Sequence, residues 1–157
     1  MQKITPCLWF NFNAEEAVNH YLGIFKRGRI VNISHYGDEV PERAGKALMI
    51  EFELEGQRFQ ALNGGPNFPF TQAISLSVDC ADQAEVDSLW QKLCAGGAEM
   101  QCGWLKDKFG LSWQIVPRRF FELMQAPDKV AVTRMMQAMF TMTKLDVAKL
   151  EAAFRGG

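Results

Sequence analysis

The chain has 157 residues, of which 48% are hydrophobic and 22% charged, a composition typical of one folded domain. Seventeen basic and eighteen acidic residues give a net charge of −1, which argues against a broadly basic surface for nucleic acid. No stretch reaches the roughly 18 consecutive apolar residues of a membrane-spanning helix, and the first residues lack a signal-peptide core. We therefore expect a cytoplasmic single domain that binds neither nucleic acid nor membrane.

The first half of the chain predicts a strand, a helix and three further strands. Asn13 and Glu16 match a capping box at the start of an amphipathic helix, which ends before Gly28. The aperiodic residues 37–45 predict a loop. Glu55 and Gly56 predict the turn of a hairpin. The extended segments cover residues 7–12, 29–36, 48–54 and 57–62.

The second half repeats this order. Asp82 and Glu85 indicate the start of a second helix, which Gly96 and Gly97 end. Its apolar side consists of Val86, Leu89, Trp90 and Leu93. The extended segments here cover residues 73–78, 98–102, 104–109 and 111–116. A twofold β-α-β-β-β order predicts an internal duplication, with module one over residues 3–63 and module two over residues 71–117.

Residues 118–157 predict a helical extension. Helices are expected over residues 119–125 and 129–142, the second capped by Asp128, and Asp146 indicates the start of a third. The second carries a methionine-rich stripe of Val132, Met135, Met136, Met139 and Phe140. Such a stripe is typical of a core or an oligomer contact, and a peptide-binding groove is the alternative.

Cysteine and histidine offer little for metal binding or nucleophilic catalysis. The four cysteines, Cys7, Cys80, Cys94 and Cys102, form no CxxC pair and are expected to be buried free thiols. The two histidines, His20 and His35, fall on the first helix and at a strand end. Neither position suits a histidine base for a serine or cysteine nucleophile.

Two motifs carry a resemblance to a known family. They are LNGGP at residues 62–66 and CGWLKDKFGLSWQIVP at residues 102–117. With the tandem β-α-β-β-β order, they resemble the PhnB-like branch of the vicinal oxygen chelate superfamily, often described as 3-demethylubiquinone-9 3-methyltransferase. The superfamily includes glyoxalase I, extradiol dioxygenases and bleomycin-resistance proteins. We expect the resemblance to cover nearly the whole chain, including the C-terminal helices.

The resemblance implies an α+β fold and a homodimer. The tandem modules would form a curved mixed-sheet cup with helices outside it. If Trp113 and Ile115 pack toward a helix, then Gln114 faces the cup, and Gln60 does so by the repeat. The expected ligand-binding residues are Trp9, Asn11, Glu51, Gln60, Ser75, Ser77, Trp104 and Gln114.

Three carboxylates are candidates for general acid or base catalysis. Glu51 and Glu53 would face the cup beside Gln60, and a carboxylate in a partly apolar cup can transfer protons. Asp107 is the third candidate. Its alternative role is to stabilise the Lys-Phe-Gly turn that follows it.

The expected cup holds no metal. Metal-dependent relatives usually place His, Glu or Gln ligands on the first and last strands of each module. The last strands here offer the neutral amides of Gln60 and Gln114, and the first strands offer no histidine, which is a weak set for a divalent cation. We therefore predict a protein without a cofactor that binds a small organic molecule.

Two other functions stay open as alternatives. The first is a divalent-metal enzyme of the glyoxalase or dioxygenase type. The second is the methyltransferase activity in the family's description, although Gly64-Gly65-Pro66 matches a nucleotide-binding turn poorly, since Pro66 has no N–H.

Overall fold

The computed structural model describes residues 2–157 and has an α+β architecture. Its strands are β1 Cys7–Phe10, β2 Gly28–His35, β3 Ala47–Leu54, β4 Gln57–Asn63, β5 Ser75–Cys80, β6 Ala98–Glu99, β7 Trp104–Lys106 and β8 Ser112–Pro117. Its α-helices are α1 Ala14–Ile24, α2 Gln83–Cys94, α3 Arg118–Met124, α4 Lys129–Met139 and α5 Val147–Arg155, and a short 3-10 helix spans Pro41–Arg43. The chain divides into two compact units, Met1–Phe70 and Thr71–Gly157.

Each unit contains one mixed four-stranded sheet. The strand orders are β1-β4-β3-β2 and β5-β8-β7-β6. In both sheets the first and last strands of the module pair in parallel, and the remaining pairs are antiparallel. The equivalent topologies confirm the predicted tandem β-α-β-β-β modules of an α+β protein.

Helix α1 covers one face of the first sheet. It packs on β3 and β4 and buries Ala17, Val18 and Tyr21. From the sheet, Ile50 and Phe52 are buried, as the alternation in β3 predicts. The β3–β4 turn has Glu55 and Gly56 at φ 49° and 86°, positive values that suit a tight hairpin.

The start of α1 differs from the sequence prediction. The side chain of Asn13 makes no capping hydrogen bond. Instead, Asn63 at the end of β4 supplies the acceptor, because its Oδ1 accepts from the backbone N–H of Ala14 at 3.0 Å. Strand β1 also ends at Phe10 instead of residue 12, since Phe12 has a left-handed φ of 59° that a strand cannot contain.

In the second unit, α2 begins and packs as predicted. The carboxylate of Asp82 accepts from the backbone N–H of Glu85 at 2.9 Å. All four residues of the predicted apolar side are buried: Val86, Leu89, Trp90 and Leu93. Strand β5 starts at Ser75, two residues later than the alternation suggested, and leaves Ile74 exposed.

The C-terminal helices form a hydrophobic core with the end of β8. Its buried members are Val116, Leu123, Met135, Met139, Leu145 and Leu150. Met135 and Met139 of the methionine-rich stripe therefore lie in this core, and Met136 packs against it. Phe140 is exposed, and α4 ends at Met139 instead of residue 142. Of the helices in residues 2–157, none combines the length and apolarity needed to cross a membrane.

Backbone hydrogen bonds attach this extension to the second sheet unit. The N–H groups of Cys102 and Gly103 donate to the carbonyl oxygens of Met142 and Thr143, both at 2.8 Å. Gly103 has a φ of 83°, and a Cβ atom there would lie 2.9 Å from Cγ of Leu145. The glycine thus permits both the backbone geometry and the close approach of the extension.

Candidate ligand-binding site

The face of the first sheet opposite α1 carries polar side chains. Because Ile50 and Phe52 point toward the helix side, Glu51 points to the other face. Glu51 lies directly across from Gln60 on β4 and from Asn32 on β2. We call this side of the sheet the open face. The prediction that Glu51 and Gln60 share one face is confirmed by this register.

Glu51 and Gln60 have unused hydrogen-bonding capacity. Both are half-buried, and neither side chain has a hydrogen-bond or ion-pair partner within residues 2–157. The neighbouring carboxylate of Glu53 is different, because it pairs with Arg29 at 3.2 Å and with Arg58 at 3.5 Å. On the open face, the charge of Glu53 is therefore neutralised by two arginines, whereas Glu51 forms no ion pair within residues 2–157.

Trp9 adds an aromatic ring to the open face. It lies opposite Leu62, and its indole Nε1–H donates to the carbonyl oxygen of Gly65 at 2.9 Å. Its ring contacts Phe68 edge to face, with centroids 4.9 Å apart. A Cβ atom on Gly64 would lie 2.3 Å from the indole, so the LNGGP motif leaves the space that this ring occupies. Trp9 is thus fixed in place and half-buried.

Asn11 lies outside the sheet. It is exposed in the bend that follows β1, because the strand ends one residue earlier. The alternation that predicted its orientation therefore does not apply to it.

The second sheet brings together the predicted residues of its own module. Ser77, Gln114 and Trp104 lie in one cross-strand row. Nε2 of Gln114 donates to Oγ of Ser75 at 2.9 Å. Trp113 and Ile115 are buried on the opposite face, at 2% and 0% exposure. The predicted alternation along β8 is confirmed, and the amide of Gln114 is already partly engaged.

The carboxylate of Asp107 is enclosed by its own turn. The residue is 1% exposed. Oδ1 accepts from the N–H groups of Phe109 and Leu111 at 2.8 and 3.0 Å, and Oδ2 accepts from Nε1–H of Trp113 at 2.9 Å. This geometry favours the turn-stabilising alternative, since three donors already occupy the carboxylate.

An aromatic and cationic cluster lies beside the end of β4. Arg43 Cζ is 4.8 Å from the ring centroid of Phe12 and 5.4 Å from that of Tyr36. Nη1 of Arg43 donates to the Tyr36 hydroxyl at 3.1 Å, and that hydroxyl donates to the carbonyl oxygen of Asn63 at 2.6 Å. Nζ of Lys46 is 5.9 Å from the Phe12 centroid. We refer to Phe12, Tyr36, Arg43 and Lys46 as the Arg43 cluster.

The cysteines are separate free thiols. Cys80 is buried as predicted, but Cys7 is exposed, so the prediction of buried thiols is wrong there. Burial raises the pKa of Cys80 to about 12, and the nearby Glu85 and Asp79 carboxylates add to the rise. Burial also raises the pKa of Cys7 and of Cys94. None of these three thiols is an activated nucleophile at neutral pH.

The residues present do not fit a divalent metal. Within residues 2–157, no group of three or more His, Cys, Asp or Glu side chains could hold an ion. The open face of the first sheet offers one unpaired carboxylate and one amide, and Gln114 of the second sheet donates to Ser75. Stable sites for such ions need several anionic or imidazole ligands.

A pocket of about 490 Å³ opens on the second unit but contains none of the predicted site residues. It is lined by Gln83, Asp87, Thr141, Met142, Thr143, Lys144, Asp146 and Lys149. Its charges are largely satisfied, because Lys144 pairs with Asp87 at 2.8 Å and Asp146 caps α5. We therefore place the candidate site on the first sheet.

Comparison with known proteins agrees with the fold and with the two motifs. The family model of 3-demethylubiquinone-9 3-methyltransferase matches residues 2–116. The chain belongs to this family. It is 38% identical to a PhnB protein from Bacillus cereus whose name carries the same methyltransferase description, over 74% of this chain and 99% of that one, with a TM-score of 0.68. The PhnB-like resemblance is thereby confirmed.

A second solved structure shows the same fold at lower identity. A protein from Pseudomonas aeruginosa is 24% identical over 74% of this chain and 98% of its own, with a TM-score of 0.61. A search of curated proteins finds no match. The family match ends at residue 116, just before α3, so the expectation that the resemblance includes the C-terminal helices is wrong.

Sequence reasoning missed Asn63, Tyr36 and Arg43. Asn63 belongs to the LNGGP motif, but nothing local indicates that it caps a helix 49 residues away. Tyr36 directly precedes the aperiodic loop and Arg43 lies within it, where no periodicity assigns a direction to a side chain. Only the composition of this segment could have indicated the cluster, because a tyrosine, an arginine and a lysine occur there without a secondary-structure pattern.

Proposed function

We propose that the protein binds a small organic molecule on the open face of the first sheet without the help of a divalent metal. The pairing of Glu51 with Gln60 carries this proposal. Both side chains are half-buried, lie opposite each other and have no protein partner within residues 2–157. Partly buried polar groups in folded proteins normally bond to protein, water or ligand. A few such groups beside an apolar wall are typical of ligand sites.

The donors and acceptors define the chemistry of the ligand. The carboxylate of Glu51 accepts hydrogen bonds, and the amide of Gln60 can both donate and accept. The ring of Trp9 supplies a flat apolar surface on the same face. The expected ligand therefore carries a hydroxyl, amine or amide hydrogen beside a planar or apolar part. If the protein is an enzyme, Glu51 is the candidate base.

A screen with matched variants tests the proposal. Protein treated with a chelator is screened against a metabolite library by thermal shift, since a bound ligand raises the melting temperature. Each hit is then titrated into Glu51→Gln, Gln60→Leu and, as a control on the same strand and face, Glu53→Gln. Losing a hydrogen bond to a charged group should weaken binding about tenfold or more.

Two results would overturn small-molecule binding at this place. One is the absence of any hit. The other is a hit that Glu51→Gln and Gln60→Leu bind as tightly as the unchanged protein. Metal dependence is tested by adding back Mn²⁺, Fe²⁺, Ni²⁺ or Zn²⁺, and a stoichiometric ion with a gain in ligand affinity would favour the glyoxalase or dioxygenase alternative.

Methyl transfer is the second candidate, favoured by the family's description. The Gly64-Gly65 turn argues against a cofactor there, because both backbone N–H groups already donate to the carbonyl oxygen of Phe10, at 3.1 and 3.3 Å. Both sheets also mix parallel and antiparallel strands, unlike the doubly wound sheets that bind such nucleotides. Titration with S-adenosylmethionine should give no saturable heat, and saturable binding would restore this candidate.

We also propose a homodimer that forms through β2. This strand is at the edge of its sheet, and Ile30 and Ile33 on it are 39% and 38% exposed. An edge strand can pair with its own copy about a twofold axis, which satisfies the free backbone groups of both strands. Sedimentation velocity should give a dimer that Ile33→Asp converts to a monomer. A monomeric unchanged protein would contradict the proposal.

A further inference from the structure

The Arg43 cluster holds two cations, Arg43 and Lys46. Neither Arg43 nor Lys46 has an ion-pair partner within residues 2–157, although both lie within 6 Å of the Phe12 centroid. Most other arginines of the chain do have one, as Arg27 does with Glu55 at 3.0 Å. Two positive charges on one ring repel each other, and an anion between or beside them would remove that repulsion.

The guanidinium of Arg43 is held in place without losing its charge. The Tyr36 hydroxyl accepts one of its N–H groups, and the rings of Phe12 and Tyr36 lie close to it. A guanidinium has five N–H donors, so most of them stay available for a ligand. The residue is also half-buried, which limits the rotamer freedom that binding would remove. Such an arrangement is suited to binding an anion.

Phe12 is held in an unfavourable backbone conformation beside these cations. Its φ of 59° is left-handed, a conformation that is unfavourable for a non-glycine residue. The residue is also 41% exposed. Strained residues of this kind concentrate at functional sites. The left-handed residue is thus the one whose ring lies within 6 Å of both cations.

The neighbouring glycine keeps a space open next to the cluster. Gly65 has a φ of 106°, and a Cβ atom there would lie 3.6 Å from Nη2 of Arg43 and 3.7 Å from the Phe12 ring. A Cβ atom there would already be in van der Waals contact with both groups.

We propose that Arg43 and Lys46 bind an oxyanion, the phosphate or carboxylate group of a small molecule, next to Phe12. The planar guanidinium matches both groups with two parallel N–H···O bonds. Lys46, three residues after Arg43 and directly before β3, contributes a second charge. This site is independent of Glu51 and Gln60, so either proposal can fail without the other.

Nuclear magnetic resonance titrations with inorganic phosphate and with acetate test the site, at an ionic strength held constant with sodium chloride. The reporters are the backbone amides of Phe12 and Gly65 and the Nε–H signal of Arg43. We expect saturable shifts with at least one of the two anions, and the tighter one identifies the group. Arg43→Gln and Lys46→Gln should each weaken binding about tenfold. Arg27→Gln removes the same charge elsewhere and should leave binding unchanged.

Lys46→Gln should leave the fold intact, because this exposed ammonium makes no hydrogen bond within residues 2–157. This variant therefore tests the site even if Arg43→Gln fails to fold. No saturable shift with either anion would overturn the proposal. Equal affinities of the unchanged protein and both glutamine variants would overturn it as well, since binding would then occur elsewhere.

Discussion

Asn63, the last residue of β4, caps α1 through its side chain. Its Oδ1 accepts from Ala14 N–H and its Nδ2 donates to the carbonyl oxygen of Ala47, both at 3.0 Å. One buried amide thus joins the last strand, the helix and the start of β3. The residue is 2% exposed, so water cannot replace either bond.

Replacing Asn63 by alanine should lower the free energy of unfolding by about 2–4 kcal/mol, because a helix cap is lost and a buried carbonyl loses its donor. Urea denaturation measures this loss, and hydrogen exchange of the Ala14 amide reports it locally. Asn13→Ala is the matched control. Its side chain makes no capping hydrogen bond, so its effect should stay below about 0.5 kcal/mol. Equal losses in the two variants would contradict this assignment of the cap.

Replacing Asp107 by alanine should be among the most damaging single changes in the second unit. Three buried or half-buried donors lose their acceptor, at a cost of about 3–5 kcal/mol in total. Asp107→Asn should cost less, because one oxygen can still accept from Phe109 and Leu111. Thermal and urea denaturation measure both.

Asp79→Ala serves as the control for Asp107. Asp79 pairs with Arg118 at 3.0 Å at the surface, where both side chains are more than half exposed, and such pairs contribute about 0–1 kcal/mol. A stable Asp107→Ala protein would show that the turn does not depend on this carboxylate and would reopen its candidate catalytic role.

The buried Cys80 thiol should make stability depend on alkaline pH. Its pKa is raised from 9.0 to about 12 in the folded chain. Between these two pH values the unfolded chain has lost the thiol proton while the folded chain retains it, so the free energy of unfolding falls as the pH rises. Below pH 9 this thiol has no effect on stability. The slope contributed is at most about 1.4 kcal/mol per pH unit.

Cys80→Ala should therefore flatten the alkaline decline in urea denaturation. The measured quantity is the change in the free energy of unfolding per pH unit, because the cavity left by the missing sulfur lowers stability equally at every pH. An unchanged slope would mean that this thiol ionises in the folded protein as readily as in the unfolded one.

Gln83, the first residue of α2, should control how firmly the C-terminal helices are attached. Its Nε2 donates to the carbonyl oxygen of Leu145 at 3.0 Å, and its Oε1 accepts from Val147 N–H at 2.8 Å. Gln83→Ala should lower the free energy of opening α5 by about 1–3 kcal/mol. Hydrogen exchange should then be faster in α5 and unchanged in the first sheet. Gln91→Ala, on an exposed position of the same helix, should change neither.

Local patterns predicted the elements and faces whose cause is local. The period of two in β3 assigned Ile50 and Glu51 to opposite faces, and the period in α2 gave its buried side. Asp82 caps α2 from the adjacent position in the chain. In each case the deciding interaction lies within a few residues, so the sequence alone is sufficient.

The rest depends on contacts between distant parts of the chain. Asn13 has the residue type of a cap, but Asn63 already occupies the site. Phe12 continues the β-forming run of β1 in composition, yet its left-handed φ ends the strand. Arg43 lies in a loop without periodicity, and its direction follows from Tyr36 and Phe12. No local sequence pattern predicts these contacts.

The helical extension makes the two repeated sheets unequal. Parallel pairing places the C-terminal ends of β1 and β4, and likewise those of β5 and β8, at the same end of their sheet. In the first unit the chain runs from there into Gly64 and Gly65, near Arg43. In the second, Val116 lies beneath α3, α4 and α5 in a methionine-rich core. The first copy thus ends in a glycine turn and the second beneath added helices, and mutations that alter ligand preference should accumulate in the first copy.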